Sequence, residues 1–205
     1  MHTPDLALHH HVFEPGDPAR PLLLLHGTGG DERDLLSLGR KVAPGAALLS
    51  PRGNVSENGA LRFFKRFAEG VFDLDDVARR AADLARWLTA ARTHYALAEP
   101  DALGFSNGAN TAAAMLLSLG SAAAPLRRVV LLRAMVTLPT APGVRLDGVS
   151  ILLASGQRDP IVPTDNARRL ADQLRAAGAA VTQETLPTAH DLTPDDLRLA
   201  REFLR

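Results

Sequence analysis

The chain has 205 residues and no cysteine. That excludes disulfides, a thiolate nucleophile and every metal site built on sulfur. Aromatic residues make up only 4%, too few for the stacking platforms that single-stranded nucleic acids need. Neither sign of charge dominates: 23 Lys+Arg stand against 23 Asp+Glu, for a formal net charge of +0. A protein-wide basic field for DNA or RNA is therefore absent, and no nucleic-acid partner is expected. No apolar run approaches the roughly 18 residues that span a bilayer. The first residues, Met1-His2-Thr3-Pro4-Asp5, lack a basic stretch followed by an apolar one, so no secretory leader is expected. No unit of about 20–50 residues recurs, which argues against a solenoid. What remains is an ordinary globular composition, 46% hydrophobic and 22% charged. It predicts one domain over residues 1–205, in the cytoplasm.

Two kinds of apolar segment alternate along the chain. Short continuous runs bounded by Gly or Pro occur at Leu22-Leu23-Leu24-Leu25, Ala46-Ala47-Leu48-Leu49, Ala102-Leu103, Val129-Val130-Leu131-Leu132 and Ile151-Leu152-Leu153-Ala154. Such runs suit strands buried on both faces of a parallel sheet. Between them the period lengthens. Leu74, Val77, Ala81, Leu84 and Leu88 recur at spacings of three and four, and so do Ala167, Leu170, Ala171, Leu174 and Ala177. Thr164 is placed to cap the second of these helices and Gly178 to end it. Thr193-Pro194-Asp195-Asp196 reads as a cap, a first-turn proline and two acids suited to the helix dipole. The alternation predicts an α/β fold: a mostly parallel central sheet with helices on both faces. Residues 6–13 read as an antiparallel edge strand. Residues 51–72 fit neither period and read as a long connection above the sheet.

Gly104-Phe105-Ser106-Asn107-Gly108 follows one of the predicted strands and precedes an alanine-rich helical segment. A strand that passes this sharply into a helix strains the serine backbone and leaves no room for side chains two residues away. The turn lifts the Ser106 hydroxyl clear of the sheet, near the free N–H groups of a helix N-terminus. A serine hydroxyl needs a base beside it, and the base needs a third group to orient it. On this type of elbow the chain order is serine, acid, histidine. Of seven histidines only His190 follows Ser106. The acid must fall between them. Asp159, just past the strand at 151–154 in Gly156-Gln157-Arg158-Asp159-Pro160, lies at the same sheet edge as Ser106. Asp165 is the alternative, but it suits the first turn of the following helix better. Asp147 precedes its strand, and Asp191 is adjacent to His190.

The loop His26-Gly27-Thr28-Gly29-Gly30 follows the strand at 22–25. In folds built on the serine elbow this loop supplies one backbone N–H to an oxyanion hole and the residue after the nucleophile supplies the other. Those residues are Thr28 and Asn107. The loop fails both G-x-x-x-x-G-K-[ST] and G-x-G-x-x-G, so a nucleotide is not expected. His26 is read as ordering its loop. His9-His10-His11 has no third ligand nearby and reads as exposed edge-strand residues, with no metal. Arg52, just past the strand at 46–49, is a candidate anchor for a substrate carboxylate, though bracing the 51–72 connection is favoured. The stretch Arg62-Phe63-Phe64-Lys65-Arg66 reads as a solvated surface with its phenylalanines turned inward. Phe63 and Phe64, with Phe67, are candidates for either a substrate pocket or the core.

Six segments together carry a resemblance: HGTGGDE at 26–32, LLSPRGNVSENG at 48–59, RFFKRFAEGVFD at 62–73, GFSNGAN at 104–110, GQRDPIVP at 156–163 and AHDLT at 189–193. In this order, over nearly the whole chain, they resemble the phospholipase/carboxylesterase family of small α/β hydrolases. The likeness is greatest to its hydroquinone-specific and dienelactone-type branch, although dienelactone hydrolases proper use cysteine where this chain has Ser106. The resemblance implies an α/β-hydrolase fold without a large cap, a Ser106–Asp159–His190 triad, and ester or thioester hydrolysis with no metal or organic cofactor. Many members form dimers, so a homodimer is an expectation. The expected function is a serine carboxylesterase acting on small to medium esters. A thioesterase and a ligand-binding protein without turnover are the alternatives.

Overall fold

The computed structural model describes residues 4–205. Met1, His2 and Thr3, part of the N-terminal stretch considered above, lie outside the described residues. A 3-10 turn at Pro4–Leu8 precedes β1 (His11–Glu14), β2 (Asp17–Leu25), α1 (Leu36–Val42) and β3 (Ala46–Pro51). Two small hairpins follow, β4 (Val55–Glu57) with β5 (Ala60–Arg62) and β6 (Arg66–Ala68) with β7 (Val71–Phe72). The remainder alternates: α2 (Leu74–His94), β8 (Asp101–Phe105), α3 (Asn107–Leu119), β9 (Arg128–Leu132), β10 (Ser150–Gly156), α4 (Thr164–Ala176), β11 (Ala180–Leu186) and α5 (Pro194–Phe203).

The main sheet has seven strands in the order β1-β3-β2-β8-β9-β10-β11. Every neighbouring pair is parallel except β1 with β3. Successive side chains on a strand point to opposite faces, and the core divides accordingly. Leu23, Leu25, Leu49, Val129, Leu131 and Ile151 pack with residues of α2, α3 and α4. Leu22, Leu24, Leu48, Val130, Leu132 and Leu152 pack with residues of α1 and α5. Because both faces are covered, the central strands are apolar at consecutive positions rather than alternate ones. This is an α/β-hydrolase fold, and among the described residues no cap domain sits over the sheet.

The structure corrects two local expectations. The edge strand spans only His11–Glu14, since Leu6 and Leu8 sit on a 3-10 turn and pack toward the core beside α2. Thr164 does not cap α4: it is already the first helical residue, and Pro163, with φ −56° and ψ 141°, occupies the cap position. Residues 51–72 connect the end of β3 to α2 and carry the two hairpins. Thr193 does cap α5, in a reciprocal box with Asp196.

Candidate active site

The parallel strands carry their C-terminal ends to one edge of the sheet, where open α/β sheets bind ligands. Ser106 stands one residue past β8. Its φ of 50° and ψ of −115° are a strained conformation for a residue with a side chain. Close backbone approach holds the turn. A Cβ on Gly108 would lie 2.1 Å from the Leu25 carbonyl oxygen, and one on Gly104 would lie 2.7 Å from Ala109 Cα. Glycine is therefore required at both places.

His190 lies between β11 and α5, and its Nε2 is 2.8 Å from Ser106 Oγ. Its Nδ1 is 2.7 Å from Asp159 Oδ2. A carboxylate can only accept, so Nδ1 carries the proton and Nε2 is the acceptor for the serine hydroxyl. The Asp159 side chain is fully buried and fixed from its other oxygen. That oxygen, Oδ1, accepts N–H bonds from Ile161 at 2.8 Å and Val162 at 2.9 Å. Asp165, the alternative acid, is exposed on the first turn of α4 and pairs with Arg168. Asp147 lies ahead of β10 and pairs with Arg145.

The backbone N–H groups of Thr28 and Asn107 donate to no protein atom among the described residues. Both residues line the same cavity as Ser106 and His190. The hairpin β4–β5 braces them from above. The Gly29 N–H donates to the Leu61 carbonyl at 2.9 Å, and the Phe63 N–H to Asn107 Oδ1 at 2.7 Å. His26 is buried beneath, with Nδ1 bonded to the Gly27 carbonyl and Nε2 accepting from the Gly53 N–H. Burial lowers its pKa and keeps the ring neutral, as that pair of bonds requires.

Sequence reasoning missed Arg133. It follows β9, has a positive φ of 58° and is fully buried. Its guanidinium grips Asp196 through two bonds, Nη1 to Oδ1 at 2.8 Å and Nη2 to Oδ2 at 2.7 Å. It also donates to the carbonyls of Ala189 at 3.2 Å and Asp191 at 2.6 Å, the residues on either side of His190. The loop carrying the imidazole is thus tied to the sheet edge and to the first turn of α5.

The cavity over Ser106 holds about 260 Å³. Phe72, Phe105, Met135 and Ile161 supply apolar wall, and Arg62, Arg66 and Glu69 supply charge. The candidate pocket residues lie elsewhere. Arg52 forms a paired contact with buried Glu32, at 2.5 and 2.7 Å, which holds that carboxyl down at about 2. Arg52 therefore braces its connection and does not line the cavity. Phe63 and Phe64 are core, 1% and 0% exposed, because β5 turns them toward α2 and the sheet. Phe67 is exposed. The Arg62–Arg66 stretch is not simply solvated surface: Arg62 is 2% exposed and donates to Thr28 Oγ1 at 2.7 Å.

The histidine run also differs from expectation. His9 and His11 do share a face, but that face packs edge-on against Trp87 of α2. His9 is buried and bonded to the Arg52 carbonyl, and His11 is bonded to the Tyr95 hydroxyl. Among the described residues no group of three or more His, Cys, Asp or Glu is arranged to hold a metal ion. No described helix is long and apolar enough to cross a membrane.

No family model matches the chain. The chain is 39% identical over 197 residues to the Bacillus subtilis (strain 168) protein named "Putative hydrolase MhqD", covering 95% of this chain and 97% of that one. A carboxylesterase from Bacillus cereus superposes with a TM-score of 0.88 at 38% identity, covering 98% of both chains. A phospholipase/carboxylesterase from Dyadobacter fermentans shares the fold at TM-score 0.72 and 19% identity, over 96% of this chain and 97% of that one. Together with the elbow and the sheet order, these likenesses show that the chain belongs to the phospholipase/carboxylesterase family of α/β hydrolases.

Proposed function

We propose that this protein is a serine carboxylesterase that cleaves small to medium carboxylic esters through Ser106, His190 and Asp159. The observation that carries the reading is the unbroken hydrogen-bond chain from Ser106 Oγ through both His190 nitrogens to Asp159. The Bacillus cereus neighbour, a carboxylesterase, supports the same chemistry.

In this reading Ser106 Oγ attacks the ester carbonyl carbon as its proton passes to His190 Nε2. Asp159, buried and held by two backbone N–H groups, keeps the ring oriented and stabilises the imidazolium. The carbonyl oxygen becomes an oxyanion and accepts bonds from the Thr28 and Asn107 N–H groups. Each donor of this kind supplies about 3–4 kcal/mol of transition-state stabilisation. Collapse of the tetrahedral adduct breaks the ester C–O bond, and His190 returns the proton to the leaving alcohol. Water then attacks the acyl-serine by the same route, releasing the acid and restoring the hydroxyl.

The test is turnover of 4-nitrophenyl acetate by wild type and Ser106→Ala. Loss of the nucleophile is expected to lower kcat by about 10⁶-fold, down toward background. Equal rates from the two proteins would instead support a ligand-binding protein without turnover.

A further inference from the structure

Arg62 is a buried cation with one open edge. Its Nε lies 3.3 Å from the Phe64 carbonyl and 3.3 Å from Glu57, and its Nη1 donates to Thr28 Oγ1. Among the described residues its Nη2 donates to nothing. Arg62 is 2% exposed and is one of the residues that line the Ser106 cavity. The carboxylates nearby are mostly taken by the neighbouring Arg66, which pairs with both Glu57 and Glu69. Both acids are also far more exposed than Arg62, with side chains 35% and 52% exposed against 3%. Burial pulls the Arg62 pKa down, as expected of a guanidinium desolvated without a full partner.

We propose that Arg62 is an anion-binding subsite, and that the preferred substrates are esters whose acyl part ends in a carboxylate, such as half-esters of short dicarboxylic acids. The inference rests on the esterase reading and adds the substrate class. A guanidinium with free N–H groups is suited to carboxylate, which it meets with strong charge-assisted bonds. Its reach sets the chain length. Arg62 Nη1 is 2.7 Å from Thr28 Oγ1, and that oxygen is about 3 Å from its own amide nitrogen by covalent geometry. The guanidinium thus stands within about 6 Å of a donor that receives the scissile carbonyl oxygen. An acid two or three methylenes beyond that carbonyl spans such a gap. A cavity of about 260 Å³ also suits an acyl group of this size. Arg133 does not compete for the anion, because Asp196 already neutralises it.

The experiment compares monoethyl succinate with ethyl pentanoate, a neutral ester of the same length, by acid release in a pH-stat. It uses wild type, Arg62→Gln, Arg62→Lys and Ser106→Ala. Wild type is expected to favour the half-ester by at least about tenfold in kcat/KM, with a preference that shrinks as salt is added. Arg62→Gln is expected to lower that ratio at least about tenfold whatever it does to the common rate, and Arg62→Lys to restore part of it. Free succinate should inhibit the wild type competitively, and less so the Gln variant. A wild-type ratio near or below one overturns the proposal. So does an equal loss on both esters in Arg62→Gln, which would make Arg62 only a strut beneath Thr28. If Arg62→Gln does not fold, the wild-type ratio, its salt dependence and succinate inhibition decide. Ser106-dependent turnover of the neutral ester alone refutes the subsite and leaves the esterase; no Ser106-dependent turnover of either ester refutes both.

Discussion

Replacing Arg133 with methionine removes the tie on the His190 loop while keeping an unbranched chain of similar length in the buried space. Both partners of the Arg133–Asp196 pair are out of water, at 0% and 2% exposure. Deleting the cation strands the Asp196 carboxylate, and breaking a buried pair in this way costs about 3–5 kcal/mol. For a chain of this size that is a fall in Tm of about 10 °C. The double variant Arg133→Met/Asp196→Asn removes the stranded charge while its amide oxygen can still cap α5, so it should recover about half of the loss. It should not recover activity. The carbonyls of Ala189 and Asp191 still lack their donor, and a shift of about 1 Å in His190 costs about 10²-fold in rate. Urea melts and kcat on 4-nitrophenyl acetate, measured on the same preparations, separate the two effects. An Arg133→Met protein within about 1 kcal/mol of wild type, or a double variant whose kcat returns with its stability, would refute the reasoning.

Other perturbations have equally definite expectations. Gly108→Ala forces a methyl to 2.1 Å from the Leu25 carbonyl oxygen, so the elbow must open; activity should be lost even if circular dichroism shows a folded protein. Asp159→Asn replaces the acceptor for His190 Nδ1–H with a side chain that permits the wrong tautomer, and kcat should fall by about 10⁴-fold with a much smaller change in KM. Stability should decline on acidification in two stages, measured by urea midpoints against pH. His9 and His26 have pKa values lowered from 6.5 chiefly by burial. The folded state therefore resists protons that the unfolded state accepts, and stability is lost as pH falls below about 6.5. Glu32 has its carboxyl lowered from 4.5 to about 2 chiefly by its bonds to Arg52. Its contribution, at most about 3 kcal/mol, is complete above about pH 4.5 and disappears as pH falls toward 2. Arg52→Gln should remove the Glu32 part of this lower stage and leave the upper one.

The elements that position the site were legible wherever a local rule dictated them. The elbow could be read because close backbone contact excludes every residue but glycine at 104 and 108. The strands could be read because a strand buried on both faces must be apolar at consecutive positions. His190 and Asp159 could be placed at the Ser106 edge because one is the last histidine and the other sits just past a strand end. The cavity's charged wall could not be read. Arg62 looks like surface in a polar stretch, and only the return of β5 over Thr28 and Asn107 buries it. Arg133 gave no signal either, since its burial depends on Asp196, 63 residues away. Strand alternation put His9 and His11 on one face, but only the packing of α2 shows that Trp87 covers that face.

The most direct measurement is a mass map of the protein after reaction with a fluorophosphonate. A single phosphonyl adduct on Ser106, absent from His190→Ala and from protein saturated with ester, is the predicted result. An adduct on any other residue, or labelling of Ser106 that is indifferent to loss of the imidazole, would contradict an alcohol activated by that ring.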